Sequence, residues 1–221
     1  MRNPLTETSL FSNFIAPEPL CENELLQSLN TTLTKKPFEG GIWVFSYGAL
    51  LWNPCFETSS WMVGKLKGWS RKACLWSFKA RGSIDQPGLV FGLEKYPSGE
   101  CNGVIMEISK SRLESDLYKL WRREMHINLY VPKWLPIQTT QRKIMAITFV
   151  ANTNHQFYAG RIPDNRAAQI IAGAEGDFGP CSDYYKKTVE ALFKLGLKDD
   201  YLDKLMPLIK EGALDSNFQQ S

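Results

Sequence analysis

Residues 43–54, WVFSYGALLWNP, constrain the fold of this chain more than any other stretch. The first half is a run of β-branched and aromatic residues, which is typical of a strand buried on both faces. The run meets Gly48, where the chain can turn with a positive φ, and Asn53-Pro54 closes the segment because the residue before a proline avoids helical backbone. A buried strand that breaks at a glycine leaves main-chain N–H groups unpaired, and these can bind an anion or a carbonyl oxygen. The alternative is an ordinary tight turn between two strands.

The composition is that of one globular domain without nucleic-acid or membrane partners. The chain has 221 residues, 43% of them hydrophobic, which is enough for one core. The net charge is only +3, and no Lys/Arg stripe is interleaved with aromatic side chains, so nucleic-acid binding is not indicated. This small positive excess suits a small anionic ligand. No apolar run approaches the roughly 20 residues that span a bilayer.

The cysteines and histidines indicate a reduced protein that needs no metal. The five cysteines are odd in number and widely spread, without a C-x-x-C pair, and the chain shows no leader pattern. A cytoplasmic location with reduced thiols is therefore expected. His126 and His155 lack metal-ligand spacing to each other or to a cysteine, so no metal site is expected. The sequence specifies no oligomeric state.

The middle of the chain reads as a series of short strands and predicts a curved sheet or a small barrel. Apolar stretches alternate with turn signals at intervals that are typical of such folds. The apolar stretches are 61–63, 73–78, 89–93 and 104–108, and the turn signals are Gly64, Gly68, Arg81-Gly82, Pro87-Gly88 and Pro97-Ser98-Gly99. A further strand over 143–150 follows a loop marked by Pro132 and Pro136.

Helices are predicted on both sides of this β-rich part. Their starts and ends follow from helical spacing of apolar residues, from Pro163 and from Gly173 and Gly196. The predicted helices are 22–33, 166–172, 183–195 and a short one over 199–205 that ends near Pro207. We divide the chain into an N-terminal extension, 1–40, made of a mobile arm and a short helix, a main domain, 41–210, and a frayed tail, 211–221. The extension either packs on the core or serves a partner.

A further helix, predicted over 111–125, carries an acid on its apolar face. Ser111 and Glu114 have capping-box spacing at its start. The apolar stripe is formed by Leu113, Leu117, Leu120 and Trp121. At about 100° per residue Glu124 projects onto this stripe, and Arg122 and Arg123 point away. Desolvation would raise the pKa of Glu124 and make it a proton acceptor near neutral pH. In the alternative, the helix frays and Glu124 reaches solvent or pairs with one of the two arginines.

These two features together resemble a known family. Residues 47–54, YGALLWNP, and Arg123-Glu124 are similar to the ChaC-type gamma-glutamylcyclotransferase signature, Y-G-S-L-hydrophobic-W-N-P followed much later by an acid in an R-E pair at a helix end. The similarity continues in order through Gly68-Trp69-Ser70-Arg71, Leu75-Trp76-Ser77, Arg81-Gly82-Ser83, Pro87-Gly88, Tyr158-Ala159-Gly160, Tyr184 and Leu195-Gly196-Leu197-Lys198-Asp199. The resemblance covers residues 42–209.

The resemblance implies an α+β fold, a gamma-glutamylcyclotransferase-like mixed β-barrel with flanking helices. It implies action on gamma-glutamyl compounds, glutathione above all, whose α-amine attacks its own γ-carbonyl to give 5-oxoproline and cysteinylglycine. Glu124 would act as general acid and base, and the main-chain amides of Gly48, Ala49 and Leu50 would bind the oxyanion and the glutamyl carboxylate. The reaction needs no cofactor, metal or covalent nucleophile.

Other residues of the matched motifs have expected roles in the pocket. Tyr47 would line it, and Tyr158 would contact the ligand or pack at the barrel mouth. Arg71 and Arg81 suit a substrate carboxylate by guanidinium geometry. The alternative for both arginines is a surface or strand-supporting position.

The sequence departs from the family pattern at two places. Ala49 replaces the serine after Tyr-Gly. After Glu124 the family more often has a lysine and glycines, and this chain has Met125, His126 and Ile127 instead. The tyrosine that follows in the family is displaced here, and Tyr130 is its expected counterpart. Two alternatives therefore stay open beside glutathione cleavage. One is a non-catalytic gamma-glutamyl-binding or regulatory module, and the other is a cyclotransferase for another gamma-glutamyl amine or peptide.

Overall fold

A computed structural model describes residues 16–218, with side chains described up to residue 212. Five strands close into a barrel in the order β1-β3-β2-β4-β5. The strands are β1 Trp43–Ser46, β2 Thr58–Ser77, β3 Gly88–Ile108, β4 Tyr130–Gln138 and β5 Lys143–Ala151. Strands β1 and β5 are parallel and the other neighbours are antiparallel. The predicted mixed barrel is therefore confirmed.

Helices flank the barrel and complete an α+β fold. They are α1 Glu22–Thr34, α2 Leu113–Glu124, α3 Asp164–Gly173, α4 Cys181–Lys194 and α5 Asp200–Phe218. Short 3₁₀ turns at Ala49–Leu51 and Lys110–Arg112 follow β1 and precede α2, and a ribbon pairs β6 Glu175–Gly176 with β7 Gly179–Pro180. Within residues 16–218 no helix combines the length and the apolar character needed to cross a bilayer.

Strands β2 and β3 are long and bent, and the prediction of several short strands is wrong. Gly64, Gly68 and the Pro97-Ser98-Gly99 signal all lie inside strands. Gly68 has a φ of +79°, and the β2–β3 register shifts between Lys67 and Trp69. A glycine at positive φ in this setting makes a β-bulge, which bends a strand without ending it. The turn signals at 81–88 are correct, since they fall at the connection between the two strands.

Strand β4 lies where the sequence predicted a loop marked by Pro132 and Pro136. Both prolines pair with β5, opposite Phe149 and Met145. The other edge of β4 pairs with β2 at residues 137–138. Proline is tolerated on a strand edge without a partner, because its missing N–H removes no ladder hydrogen bond there.

The predictions for three helices are confirmed, and three details are wrong. Helices α1, α3 and α4 match their predicted spans to within two residues at each end. Helix α5 continues through Pro207 into the predicted tail, because Leu202, Leu205 and Ile209 are buried and this packing outweighs the main-chain hydrogen bond that proline removes. The sequence also predicts Phe193 on the same apolar face of α4 as Tyr185, Val189 and Leu192, but Phe193 is 81% exposed. At the start of α2, the 3₁₀ turn replaces the capping box predicted at Ser111.

Helix α2 packs its apolar stripe against the outside of the barrel. Leu117, Leu120 and Trp121 are buried, and the Trp121 ring meets Phe149 of β5 edge-on at 5.3 Å between centroids. Near its start, buried Asp116 accepts a hydrogen bond of 2.9 Å from the main-chain N–H of Glu57. Both ends of α2 are thereby fixed relative to the barrel.

Helix α1 packs on the core, which is the first of the two alternatives given for the N-terminal extension. The indole N–H of Trp121 donates to Ser28 Oγ at 3.2 Å, and that of Trp134 donates to the Thr32 carbonyl at 2.8 Å. The Leu20 N–H donates to the carbonyl of His126, just beyond α2, at 2.8 Å. The predicted mobile arm falls largely on residues 1–15, outside the described residues. The division into 1–40, 41–210 and 211–221 stays a prediction.

Candidate active site

Glu124 is the last residue of α2, and its carboxylate is largely desolvated. Its side chain is 15% exposed, on the same side of the helix as fully buried Leu120 and Trp121. Burial raises the pKa of Glu124, and the positive charge of Arg123 opposes this with a smaller effect. The expected desolvation of Glu124 is confirmed, and its role as acid and base stays a prediction.

Arg123 does not point away from Glu124, contrary to the sequence prediction. Its Nε lies 3.3 Å from Glu124 Oε1, and its Nη1 donates to the main-chain carbonyl of Asn53 at 2.5 Å. The helix ends at this point, and the Asn53 carbonyl draws the guanidinium toward the segment after β1. Both alternatives for Glu124 thus hold in part, because the carboxylate is paired with arginine and is still mostly buried.

The turn after β1 presents main-chain donors, as expected, but Gly48 is not at positive φ. Its φ and ψ are −132° and −131°. A Cβ on Gly48 would lie 2.9 Å from Tyr184 Oη, so the glycine is needed for this close approach. In the described part of the chain the N–H groups of Gly48, Ala49 and Leu50 make no hydrogen bond. The side chain of Leu50 is buried in the core, so only its main chain is available.

Two buried tyrosines, Tyr47 and Tyr184, and the partly buried Tyr130 lie near enough to Glu124 to be affected by its charge. Burial raises the pKa values of Tyr47, Tyr130 and Tyr184, and the charge of Glu124 adds to the rise for each. Tyr47 Oη donates to the Phe149 carbonyl at 2.7 Å, and Tyr130 Oη donates to the Phe91 carbonyl at 2.9 Å. All three hydroxyls therefore stay protonated near neutral pH.

The hydroxyl group of Tyr184 is able to donate a further hydrogen bond. Its hydroxyl oxygen accepts from the Phe91 N–H at 3.3 Å, and within residues 16–218 its own proton has no acceptor. Helix α4, which carries it, is attached to the turn because the Trp52 indole donates to Thr188 Oγ1 at 3.2 Å. Tyr184 is the site residue whose role the sequence missed. The sequence indicates Tyr184 only as part of a motif shared with the family, since no pattern of neighbouring residues predicts that it lies against Gly48.

Arg71 is fully buried and supports the turn, so it is not a surface residue. Its Nε donates to the Tyr47 carbonyl at 2.8 Å, and its Nη2 donates to the Asn102 carbonyl at 2.7 Å. Its Nη1 forms an ion pair with Asp199, whose side chain is 8% exposed. The guanidinium is therefore occupied by the protein itself and fixes the main chain directly before Gly48.

Arg81 and Tyr158 also have partners within the protein. Arg81 is buried and donates to the carbonyls of Phe178 and Pro180 at 2.6 and 3.1 Å, which fixes the approach to α4. Its guanidinium lies 5.8 Å from the Tyr184 ring centroid. Tyr158 Oη donates to Glu94 Oε1 at 2.6 Å. Glu124 is thus linked to the segment after β1 through Arg123 and through its charge effect on Tyr47, while Arg71 bonds to the Tyr47 carbonyl and Arg81 lies against the Tyr184 ring.

The described residues form no metal-binding cluster, and a surface groove lies apart from the residues grouped around Glu124. Among residues 16–218 no group of three or more His, Cys, Asp or Glu side chains is placed to hold a metal ion. A shallow groove of about 530 Å³ lies between residues 78–85 and residues 175–177. None of the residues grouped around Glu124 lines that groove.

Gly48→Ala is expected to lower kcat/KM by about tenfold, because a misplacement of about 1 Å can cost about 100-fold and the shift needed here is smaller. The added Cβ would meet Tyr184 Oη at 2.9 Å and displace either the turn or the tyrosine. Tyr184→Phe removes that oxygen, so the double variant should be less destabilised in urea unfolding than the sum of the two single changes. Strict additivity of the two unfolding free energies would contradict the contact.

The chain is similar to known proteins over most of its length. The "Glutathione-specific gamma-glutamylcyclotransferase" of Escherichia coli K12 is 35% identical over 192 residues, which is 86% of this chain and 82% of that protein. "Gamma-glutamylcyclotransferase 2-3" of Arabidopsis thaliana is 30% identical over 171 residues, 74% of this chain and 86% of the relative.

Solved structures share the fold, and a family match identifies the chain. A crystal structure of a yeast gamma-glutamyl cyclotransferase specific to glutathione has a TM-score of 0.73 at 19% identity and covers 79% of this chain and 97% of the yeast chain. The family described as "ChaC-like protein" matches residues 42–212, which include the turn, α2 and α4. Because that match spans well over half of the residues, the chain belongs to the ChaC-like protein family.

Proposed function

We propose that this protein is a gamma-glutamylcyclotransferase that cleaves glutathione to 5-oxoproline and cysteinylglycine. The observation that carries the proposal is the position of Glu124, a largely buried carboxylate of raised pKa that Arg123 links to the segment after β1, where three N–H groups have no hydrogen-bond partner among the described residues. The names of the Escherichia coli and yeast relatives support glutathione as the substrate.

In the proposed reaction the α-amine of the glutamyl group attacks its own γ-carbonyl carbon. A C–N bond closes the five-membered ring, and the C–N bond to the cysteine nitrogen breaks. Glu124 takes a proton from the attacking amine and returns it to the leaving nitrogen, so the carboxylate is regenerated. Positioned acid–base groups contribute about 10²–10⁴-fold. Holding the substrate folded back contributes more, since well-oriented intramolecular reactions reach effective molarities of about 10⁵ M or above.

The turn supplies the donors for the charge that develops on the γ-carbonyl oxygen. We assign this role to the main-chain N–H groups of Gly48, Ala49 and Leu50, with the proton of Tyr184 as a further donor. Removing one such donor typically costs about 3 kcal/mol of transition-state stabilisation. Ala49 has no hydroxyl, so at that position only the main chain can contribute.

The remaining predicted site residues are assigned by their contacts. Tyr47 lines the pocket, and Arg71 acts through the Tyr47 carbonyl that it holds. Arg81 supports the start of α4 behind Tyr184. Tyr158, bonded to Glu94, is placed in the wall and not on the reacting atoms. We place the enzyme in the cytoplasm because its five cysteines are free thiols, three of them buried.

The proposal is tested by incubating the protein with glutathione and measuring 5-oxoproline and cysteinylglycine by liquid chromatography. Equal release of the two products is expected, with gamma-glutamyl dipeptides assayed beside glutathione. Faster turnover of a dipeptide would assign another gamma-glutamyl substrate. The non-catalytic alternative has a specific observation in its favour, the missing hydroxyl at Ala49. Glutathione binding in calorimetry without product formation would establish that alternative.

The acid side of the pH–rate profile is expected to lie above the range of an ordinary carboxyl group. Burial raises the pKa of Glu124, and only its ionised form can accept the proton of the amine. Activity should therefore fall as the pH drops through this raised pKa. The measurement is kcat/KM for glutathione against pH, checked for reversibility. An acid limb at the value of a free glutamate would contradict the desolvation.

A further inference from the structure

Arg123 connects the two separate elements that form the proposed site. On one side its Nε lies 3.3 Å from Glu124 Oε1, at the end of α2. On the other side its Nη1 donates to the Asn53 carbonyl at 2.5 Å, at the end of the segment that begins with β1. Its charge also acts on the thiol of Cys55, two residues further along. The guanidinium is 27% exposed at the side chain and is the cation paired with the carboxylate.

The contact between Arg123 and Glu124 needs a third group to explain it. Consecutive residues on a helix point in directions about 100° apart and do not ordinarily face each other. For Arg123 Nε to reach Glu124 Oε1, the arginine side chain must be turned toward the face that Glu124 occupies. The Asn53 carbonyl does this, because it accepts a hydrogen bond from the far end of the same planar guanidinium. The turn thus sets the direction of Arg123, and Arg123 sets the direction of the carboxylate.

We propose that Arg123 is a positioning residue of the cyclotransfer reaction, holding the Glu124 carboxylate at a fixed place relative to the main-chain donors of residues 48–50. This inference rests on the proposed function and adds a residue that acts on the reaction through Glu124. A glutamate at a helix end has rotatable bonds that burial alone does not fix. The guanidinium restricts them by joining the carboxylate to the turn that would bind the substrate carbonyl.

The electrostatic surroundings of Glu124 give Arg123 a second effect. The neutral groups close enough for the charge of Glu124 to raise their pKa values are Tyr47 directly after β1, Tyr130 from β4, Tyr184 from α4 and the thiol of Cys55. Arg123 opposes the rise in pKa that burial causes. Without it, the pKa of Glu124 should rise further, and the base would be ionised only at higher pH.

Three variants separate position from charge. Arg123→Met removes both the planar guanidinium, which bridges Glu124 and Asn53, and its charge. It is expected to lower kcat by about 100-fold, the scale of a misplaced catalytic group. Arg123→Lys keeps the charge but cannot bridge both partners, so kcat should fall by about tenfold while the acid limb stays close to that of the unmodified protein. KM for glutathione should change little in both. Arg122→Met is the matched control, because Arg122 carries the same charge on the same turn of α2 and is exposed.

A second readout tests Arg123 whether or not the protein turns over glutathione. The carboxyl carbon of Glu124 can be titrated by NMR in ¹³C-glutamate-labelled protein and assigned by its absence in Glu124→Gln. The pKa should be higher in Arg123→Met than in the unmodified protein, and unchanged in Arg122→Met. An unchanged pKa in Arg123→Met, or kinetics equal to those of Arg122→Met, would overturn the inference. Absence of 5-oxoproline release by the unmodified protein would instead reject the proposed function, and the titration would still decide the contact.

Discussion

Glu124→Gln is expected to abolish the release of 5-oxoproline from glutathione, with a loss of kcat of at least about 10²–10⁴-fold. Glutamine has nearly the same size and fits the same position at the end of α2, but its amide cannot accept the proton of the attacking amine. The measurement is the initial rate of product formation at saturating glutathione. Glu114→Gln is the control, since Glu114 lies on the exposed side of the start of the same helix.

The same substitution should stabilise the protein at neutral pH. Because burial raises the pKa of Glu124, the folded state binds a proton more readily than the unfolded state. The contribution of this group to stability is therefore present in acid and is lost as the pH rises through the folded-state pKa. Glu124→Gln removes the buried charge, so its free energy of unfolding should exceed that of the original protein at pH 7, and the difference should shrink in acid. Retained turnover, or equal stability at both pH values, would contradict the assigned environment of Glu124.

Arg71→Met should destabilise the protein by about 3–5 kcal/mol, the cost of leaving one partner of a buried ion pair without the other. The change strands Asp199, which also caps α5 by accepting from the Leu202 N–H at 3.0 Å, and removes the donor to the Tyr47 carbonyl. The free energy of unfolding in urea measures the effect. Activity should also fall, because the main chain before Gly48 loses its support.

An exposed ion pair between β2, the strand that carries Arg71, and β3 provides the comparison. Lys65 and Glu100 are 2.7 Å apart with side chains 40% and 46% exposed. Surface pairs contribute about 0–1 kcal/mol, so Lys65→Met should change the unfolding free energy by less than that. Similar losses for Arg71→Met and Lys65→Met would mean that Asp199 is not left as an uncompensated buried charge when Arg71 is removed.

The features predicted well from the sequence are those set within one element. The apolar stripe of α2 and the inward position of Glu124 follow from the period of a helix. The buried strand β1 follows from its composition. The Gly48 turn was located correctly, yet its glycine serves a different purpose. It makes room for Tyr184, a contact between distant parts of the chain that no local pattern contains.

The features predicted wrongly are those in which a local signal has more than one structural outcome. A glycine such as Gly68 either ends a strand or bends it at a bulge, and the partner strand decides which. Pro132 marks a loop or an unpaired strand edge, and Pro207 ends a helix unless packing on both sides holds it. The burial of Arg71 is likewise set by Asp199, far along the chain.

Helix α1 is joined to α2 and to β4 by hydrogen bonds from two indole N–H groups. The family match begins at residue 42, after α1. A shortened protein starting there would leave the indole N–H groups of Trp121 and Trp134 without acceptors and would free the His126 carbonyl next to Glu124. Removing the residues before 42 would therefore also remove a hydrogen bond to the backbone immediately after Glu124.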